Sequence, residues 1–472
     1  MFIDGTWTDG RSSETIRVVS PATGETLADV PSATGADVEA AVAAARQGQV
    51  ALEALGVYER AELLHAAAAL IEGDAEAIAR DLAIEQGKPW RTEALEEVHE
   101  TAGNFRMAAE DVKRLDTHVI PSEQRGKMIF TLRKPNGVFA VITPWNFPIM
   151  IPSELIAPAL ATGNAVILKP SEFTPLAGRR LVEVLHEAGF PPGSVNLLFG
   201  GRGVGEALVT HPGVDAIAFV GSHTTGEAIV RSAGLKRTLI EASGNGPLIV
   251  LGDADIDAAA AAAVEGAAYL AGQVCVATER VLVARERHDE FLERVLHHSQ
   301  AVVLGDPLDE ATTMGPLNNE PVAQKMDEHV ADALERGASV VSGGSRASGF
   351  ATALYWEPTV MTDVPADAKV AVDETFGPIA PIVKIGSLED AIESANASPY
   401  GLLAAIFTKD LAKGLKYADE ARTGLVNINE TTNYWENHLP FGGRAGTASG
   451  VGRVGGRYAM DTLTELQTVV IG

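Results

Sequence analysis

Apolar residues recur at helical spacing from Asp37 to about Val112, so this stretch reads as consecutive helices. Arg60-Ala-Glu-Leu-Leu-His-Ala-Ala-Ala-Ala-Leu-Ile71 is the clearest case, and Gly87-Lys-Pro89 stops the pattern. Near Met128 the period shortens to two: Met128-Ile-Phe-Thr-Leu-Arg133 alternates. Pro135-Asn-Gly137 then supplies a turn and Val138-Phe-Ala-Val-Ile142 is continuously apolar, so these two strands are expected to form a hairpin.

Strand and helix then alternate regularly. Ala165-Val-Ile-Leu168, Val195-Asn-Leu-Leu198, Ala216-Ile-Ala-Phe-Val220 and Thr238-Leu-Ile240 are short buried-type strands, separated by helical stretches such as Leu176 to Ala188 and Gly226 to Ser232. Such alternation predicts a parallel sheet covered on both faces, an α/β architecture. A second alternation starts at Leu248-Ile-Val-Leu251 and continues through Val281-Leu-Val283 and Leu425-Val-Asn427, which predicts a second α/β domain. A glycine-rich stretch from Gly442 to Gly456 leads to an alternating tail, Leu463 to Ile471, suited to the edge of another sheet in this subunit or a neighbour.

Composition narrows the class. Hydrophobic residues make up 46% and charged residues 21% of the 472 positions, the profile of a globular protein with a sizeable core. Sixty-three acidic against 37 basic residues leave a net charge of −26, which argues against nucleic-acid partners. The first ten residues carry two aspartates and no basic residue, so no signal peptide is expected. The alanine-rich run from Ala258 to Gly272 is broken by Glu265 and Gly266, and no membrane span is expected. The expected location is the cytoplasm, where a thiol stays reduced.

That thiol matters because Cys275 is the only cysteine. Three features supply the parts of an acyl-transfer site around it. Pro144-Trp-Asn-Phe-Pro148 follows a buried strand, where α/β sheets place functional loops, and the Asn146 amide there is a candidate donor to an oxyanion; capping the next helix is its other reading. Glu241 ends the strand Thr238-Leu-Ile240, before the flexible-looking Ser243-Gly-Asn-Gly246, and is a candidate general base. Cys275 is the candidate nucleophile, most effective as a thiolate beside positive potential.

Gly201-Arg-Gly-Val-Gly205 departs from the dinucleotide G-x-G-x-x-G spacing. Phe219-Val-Gly-Ser-His-Thr-Thr-Gly226 is the better anion site: it runs from a strand into a helix, so backbone N–H groups and the Ser222 hydroxyl face the ligand. Lys169-Pro-Ser-Glu172 places a cation and an acid together. An acid beside an adenosine ribose accepts its hydroxyl hydrogen bonds and repels a 2′-phosphate, which favours NAD over NADP. The eleven histidines show no metal-ligand spacing, and no metal is expected.

With these residues in view, the chain resembles the NAD(P)-dependent aldehyde dehydrogenases almost end to end. The resemblance is carried by Phe2-Ile-Asp-Gly-Thr-Trp7, Pro144-Trp-Asn-Phe-Pro148, Lys169-Pro-Ser-Glu172, Phe219-Val-Gly-Ser222, Gly272-Gln-Val-Cys275, Glu374-Thr-Phe-Gly-Pro378 and Pro440-Phe-Gly-Gly443. It implies a Rossmann-type cofactor domain (1–116 and 136–243), an α/β catalytic domain (244–445) and a small β oligomerisation element (117–135 and 456–472). It also implies a homodimer or homotetramer. By the same resemblance Cys275 attacks the aldehyde to give a thiohemiacetal and, after hydride transfer to the nicotinamide, a thioester. Glu241 activates the water that releases the acid, and Asn146 with the Cys275 N–H meets the oxyanion. Lys169 and Glu172 correspond to adenosine-ribose contacts, Trp145, Gly221 and Ser222 to pyrophosphate contacts, and Glu374 and Phe376 to contacts around the nicotinamide and its ribose.

The family's usual Glu-Leu-Gly-Gly reads Glu241-Ala-Ser-Gly244 here, the run after Gly443 is longer, and Glu154 stands where a basic or aromatic residue is usual. Phe147, Tyr434, Trp435 and Phe441 are expected near the substrate entrance and favour an apolar or aromatic aldehyde. Glu154, Glu436, His438 and Arg106 are either solvated or select a polar tail: an inward Glu154 favours an amino-aldehyde, an inward Arg106 an acid-bearing one. Competing readings are a CoA-acylating dehydrogenase, against which Glu241 argues, a non-catalytic protein on the same fold, and a cysteine hydrolase of another fold.

Overall fold

A computed structural model describes all residues from Met1 to Gly472. Five parallel strands form the middle of the first sheet, in the spatial order Arg237–Ala242, Ala216–Gly221, Val138–Ile142, Ala165–Lys169 and Val195–Leu197. Val138–Ile142 and Ala165–Lys169 are buried at every residue, which is why their sequences are continuously apolar rather than alternating. The helices Gly35–Ala54, Val57–Gly73, Ala75–Gln86 and Leu95–Asp111 supply the predicted helical region. Ala75–Gln86 ends on Gly87 at φ 101°, the stop expected from Gly87-Lys-Pro89.

From Val138–Ile142 the chain adds strands first to one side and then, with Ala216–Gly221 and Arg237–Ala242, to the other. The loops after Ile142 and Gly221 therefore diverge, leaving a crevice at the carboxyl ends of the strands. A seven-stranded sheet follows, in the order Ser339–Ser342, Thr359–Thr362, Ile379–Ile385, Thr278–Ala284, Gly246–Val250, Leu403–Phe407 and Leu425–Ile428. It is parallel except at the Ser339–Ser342 edge. The short Ser243–Asn245 connection joins the end of one sheet to the start of the other, so Glu241 sits near the amino end of Thr278–Ala284, where Cys275 is placed.

The expected hairpin across Pro135-Asn-Gly137 does not form. Val138–Ile142 enters the large sheet, while Met128–Pro135 pairs antiparallel with Val119–Ile120 and, over eight residues, with Thr464–Ile471. Alternation and continuous burial mark two different environments, and the turn is a crossing between sheets: Gly137 takes φ 126° and Asn136 donates to Thr462 O at 2.8 Å. The alternating tail thus adds to a sheet edge of its own chain. No helix is long and apolar enough to cross a membrane.

Candidate active site

The helix Ile256–Ala268 breaks into a turn in which Leu270, Ala271 and Gly272 all take positive φ, at 53°, 53° and 71°. Two non-glycine residues in this region store strain, so surrounding groups must hold the turn. Glu93 accepts from Leu270 N at 2.9 Å, and the Gln273 amide donates to Leu270 O at 2.8 Å and accepts from Asn318 N at 2.8 Å. Gly272 is required twice over, because a Cβ there would lie 2.2 Å from Gly377 O. Cys275 follows, with an accessible edge although protein surrounds its sulfur.

The Glu241 carboxyl lies beside the Cys275 thiol, and its Oε1 is buried without a hydrogen bond. Glu241 lies inside the strand Arg237–Ala242 rather than on the loop after it, paired with Val220 on one side and Gly450 on the other. The loop that follows is tied down: Ser243 Oγ donates to Glu374 at 2.8 Å, and Ser449 Oγ donates to Ser243 O at 2.8 Å. A Cβ on Gly244 would lie 2.0 Å from Cys275 O, so only glycine lets base loop and nucleophile loop approach. Burial pushes the Glu241 carboxyl up to about 8. Burial, then Glu241 and Glu374, push the Cys275 thiol well above its ordinary value. The expected positive potential is absent, because carboxylates, Glu241 first among them, are the charges facing the sulfur.

Asn146 is buried, and its amide donates to Gln273 O at 2.9 Å, two residues before the nucleophile. One amide hydrogen is thereby used and the other has no partner in the chain. It does not cap the next helix. That service falls to Glu97, whose Oε1 accepts from Ile149 N and Met150 N at 3.0 and 3.2 Å. Glu97 Oε2 pairs with Lys88 Nζ at 2.5 Å, and Nζ also donates to Asn146 O at 2.8 Å. Both side chains are fully buried, so this pair locks the Asn146 loop from beneath.

The crevice also suits a dinucleotide. At the amino end of the helix His223–Ala233 the His223 N–H donates to Ser243 Oγ at 3.2 Å, the Ser222 hydroxyl bonds to those of Thr224 and Thr225, and no side chain accepts from the Thr224 or Thr225 N–H. Such an end carries free N–H donors for a pyrophosphate, next to Gly221. Lys169 Nζ is buried, makes one hydrogen bond, to Pro170 O at 3.0 Å, and lies 3.8 Å from the exposed Glu172. Across the crevice Glu374 accepts from Gly244 N at 2.8 Å, and Phe376, at φ 62°, meets Trp145 edge-on at 5.5 Å. Glu279 accepts from Thr375 N and Phe376 N, each at 2.8 Å, and so fixes this loop.

Among the residues expected near the substrate entrance, Phe147 is buried beneath Lys88 and lies 6.4 Å from the Tyr269 ring. Trp435 stacks on Phe441 at 5.3 Å. Glu154 is buried on the wholly buried helix Met150–Ala161, as its one charged residue. Tyr434 is exposed and donates to Glu436, which also meets His438 at 3.3 Å. Arg106 does not turn inward: it pairs with Glu72 at 2.9 Å on the surface.

Lys88, Glu97, Glu279, Gln273 and Ser449 escape the sequence reading, since charged and amide residues in Gln86-Gly-Lys-Pro89 or Thr278-Glu-Arg280 look solvated until packing is known. One signal was available. Glu93, Glu96, Glu97 and Glu100 stand at i, i+3, i+4 and i+7 and so share one helix face.

Two open parallel sheets meeting at a crevice, with a helix end offering backbone N–H groups to a dinucleotide, fit an oxidoreductase of the nicotinamide-dependent class. A sequence profile described as the Aldehyde dehydrogenase family matches residues 7–469. The chain is 36% identical over 478 residues to the 3-sulfolactaldehyde dehydrogenase of Pseudomonas putida, covering 100% of this chain and 96% of that protein. It is 37% identical over 475 residues to the NADP(+) succinate-semialdehyde dehydrogenase GabD of Escherichia coli K12, covering 100% and 97%. A crystal structure of an E. coli NADP dependent enzyme superposes with a TM-score of 0.96 at 37% identity, covering 100% of this chain and 97% of the other. The chain belongs to the aldehyde dehydrogenase family. It oxidises an aldehyde to the carboxylic acid with a nicotinamide dinucleotide.

Proposed function

We propose that Cys275 carries the aldehyde, that Glu241 handles both protons of the reaction, and that NAD is preferred to NADP. The observation that carries this reading is the closeness of the only thiol to a buried carboxyl that has an unpartnered oxygen, in the crevice where the two sheets meet. Glu241 takes the thiol proton as sulfur attacks the carbonyl carbon. The remaining Asn146 hydrogen and the Cys275 N–H receive the negative oxygen. A bound nicotinamide ring supplies the hydride acceptor. Glu241 then yields the thiol proton to solvent, and the acyl group left on sulfur is released by a water that gives its proton to the ionised Glu241, with sulfur leaving as the thiolate.

Glu172 supports NAD, since its free carboxylate repels a 2′-phosphate; Lys169 beside it and the NADP named for two relatives pull the other way. Lys169 and Glu172 hold the adenosine ribose, Ser222, Gly221 and Trp145 the pyrophosphate, and Glu374 and Phe376 the nicotinamide end. The free thiol supports a reducing, cytoplasmic location. Exposed Val119, Met128, Leu466, Val470 and Ile471 on the small sheet support a homodimer or homotetramer through that element, with residues 117–135 and 456–472 as its parts.

The test is reduced-cofactor formation across a panel of aldehydes, with NAD and NADP in parallel and no CoA. Turnover without CoA and faster with NAD is expected, and Cys275→Ala should lower kcat at least ~10³-fold while the dinucleotide still binds. Wild-type turnover by that variant removes Cys275 as nucleophile, an absolute need for CoA removes Glu241 as hydrolytic base, and a faster rate with NADP overturns the role given to Glu172.

A further inference from the structure

Ser243 is buried and takes φ 32°, a left-handed backbone that glycine adopts freely and that strains a residue with a Cβ. Such strain persists only where the surroundings hold it, and three hydrogen bonds do so here. The Ser243 hydroxyl accepts from His223 N at 3.2 Å and donates to Glu374 Oε2 at 2.8 Å, while the Ser243 carbonyl accepts from Ser449 Oγ at 2.8 Å.

One hydroxyl thereby spans the crevice between the two sheets. His223 opens the helix that follows Ala216–Gly221, and Glu374 stands just before Ile379–Ile385. The backbone around Glu374 is fixed from elsewhere: Asn245 Nδ2 donates to Asp373 O at 2.9 Å, and Glu279 accepts from Thr375 N and Phe376 N. The carboxylate itself is part-exposed, and its hydrogen bonds within the chain are those from Ser243 Oγ to Oε2 and from Gly244 N, at 2.8 Å, to Oε1. Ser243 is thus the one side chain that sets its direction. A carboxylate with two such bonds can accept about two more. Burial raises the Glu374 carboxyl, and the charge of Lys325 with the Gly244 and Ser243 donors opposes that rise and favours the ionised, accepting form.

We propose that Ser243 is a positioning residue for the dinucleotide, whose hydroxyl holds the Glu374 carboxylate in place for the ribose hydroxyls at the nicotinamide end. The role rests on Glu374 being the acid at that end. The same hydroxyl occupies the His223 N–H, the first of the free donors at the amino end of its helix. Its removal therefore acts in opposite senses at the two ends of the site. Glu374 loses its guide, while the helix end regains a donor for the pyrophosphate.

Calorimetry of the protein without aldehyde tests this. Ser243→Gly removes the hydroxyl and relieves the backbone strain, so Tm should change little. NAD is compared with ADP, and NADP with 2′-phospho-ADP, and the pair whose dinucleotide binds the wild-type protein more tightly is followed. Dinucleotide affinity should fall about tenfold, the worth of a hydrogen bond to a charged group. Affinity for the diphosphate fragment, which lacks the second ribose, should hold or rise. Ser243→Ala should show the same loss as Ser243→Gly. Glu374→Gln should also weaken the dinucleotide, and adding Ser243→Gly to it should cost less than about twofold more, because the hydroxyl acts through the carboxylate. Four results overturn the role of Ser243 and leave that of Glu374 standing: unchanged dinucleotide affinity in Ser243→Gly, an equal fall for dinucleotide and fragment, a loss absent from Ser243→Ala, or a further loss of about tenfold on the Glu374→Gln background. Unaltered dinucleotide affinity in Glu374→Gln overturns the reading of Glu374 and the role of Ser243 with it.

Discussion

Glu241 has its backbone stitched to Val220 on one side and Gly450 on the other, so the freedom left to this base lies in its side chain. Buried, its carboxyl ionises near 8, and the ionised form is the one that takes a proton from water. Where deacylation limits turnover, kcat therefore rises from about pH 7 to about pH 9 and levels above that. Glu241→Gln should give a rapid first turnover of reduced cofactor followed by a slow steady state that no longer rises with pH. Stopped-flow absorbance measures both, and an unaltered steady state removes Glu241 as base. Cys275, Glu241 and Asn146 could be picked out as candidates in the sequence because one thiol, one strand-end acid and one amide between prolines are few enough to assemble by chemistry. The negative surroundings of the thiol were not, since they come from Glu374 and Glu154, far away along the chain. Glu154 was visible as an anomaly of position; its lack of any partner needed the packed structure.

The Asn146 loop works as an element because the helices Leu95–Asp111 and Met150–Ala161 share Glu97. Glu97→Gln leaves the buried Lys88 ammonium without a counter-ion and should cost about 3–5 kcal/mol in urea unfolding. It should lower kcat as well, since Lys88 holds Asn146 O. The double variant Glu97→Gln with Lys88→Met removes both charges and should recover most of the stability, because replacing a buried pair is far less costly than halving it. A single-variant cost below about 1 kcal/mol would show that the pair does not hold the loop. The elements themselves were largely legible, as period and burial wrote them into the chain. The misplaced hairpin shows the limit. Met128–Pro135 finds its long partner some 330 residues later, and no local turn signal reports so distant a pairing.

At the scale of the whole molecule, Glu85, Glu93 and Glu241 keep their protons up to about pH 8 and Glu279 up to about 7, while in the unfolded chain they ionise near 4.5. The stability these protons contribute is complete below about pH 4.5 and is lost as pH rises through 7 and 8. The Met1 amine, lowered to about 6, opposes them with a single group. Tm should therefore fall from about pH 7 to about pH 8.5, by of the order of 5 °C, in differential scanning calorimetry. A flat or rising Tm would show these carboxyls ionised in the folded protein. Two α/β halves could be read from the alternation of strand and helix. That their strands meet end to end at Cys275 could not, because it depends on how the short Ser243–Asn245 link turns. The seam beside Glu241 has a consequence for how the protein is made. Gly450 completes the sheet around the base, Ser449 holds its loop, and the last strand closes on Met128–Pro135. A growing chain adds these residues well after the Cys275 and Glu241 loops have left the ribosome. The frame around Glu241 thus closes late in synthesis, and a product that stops before Ser449 carries its thiol without that frame.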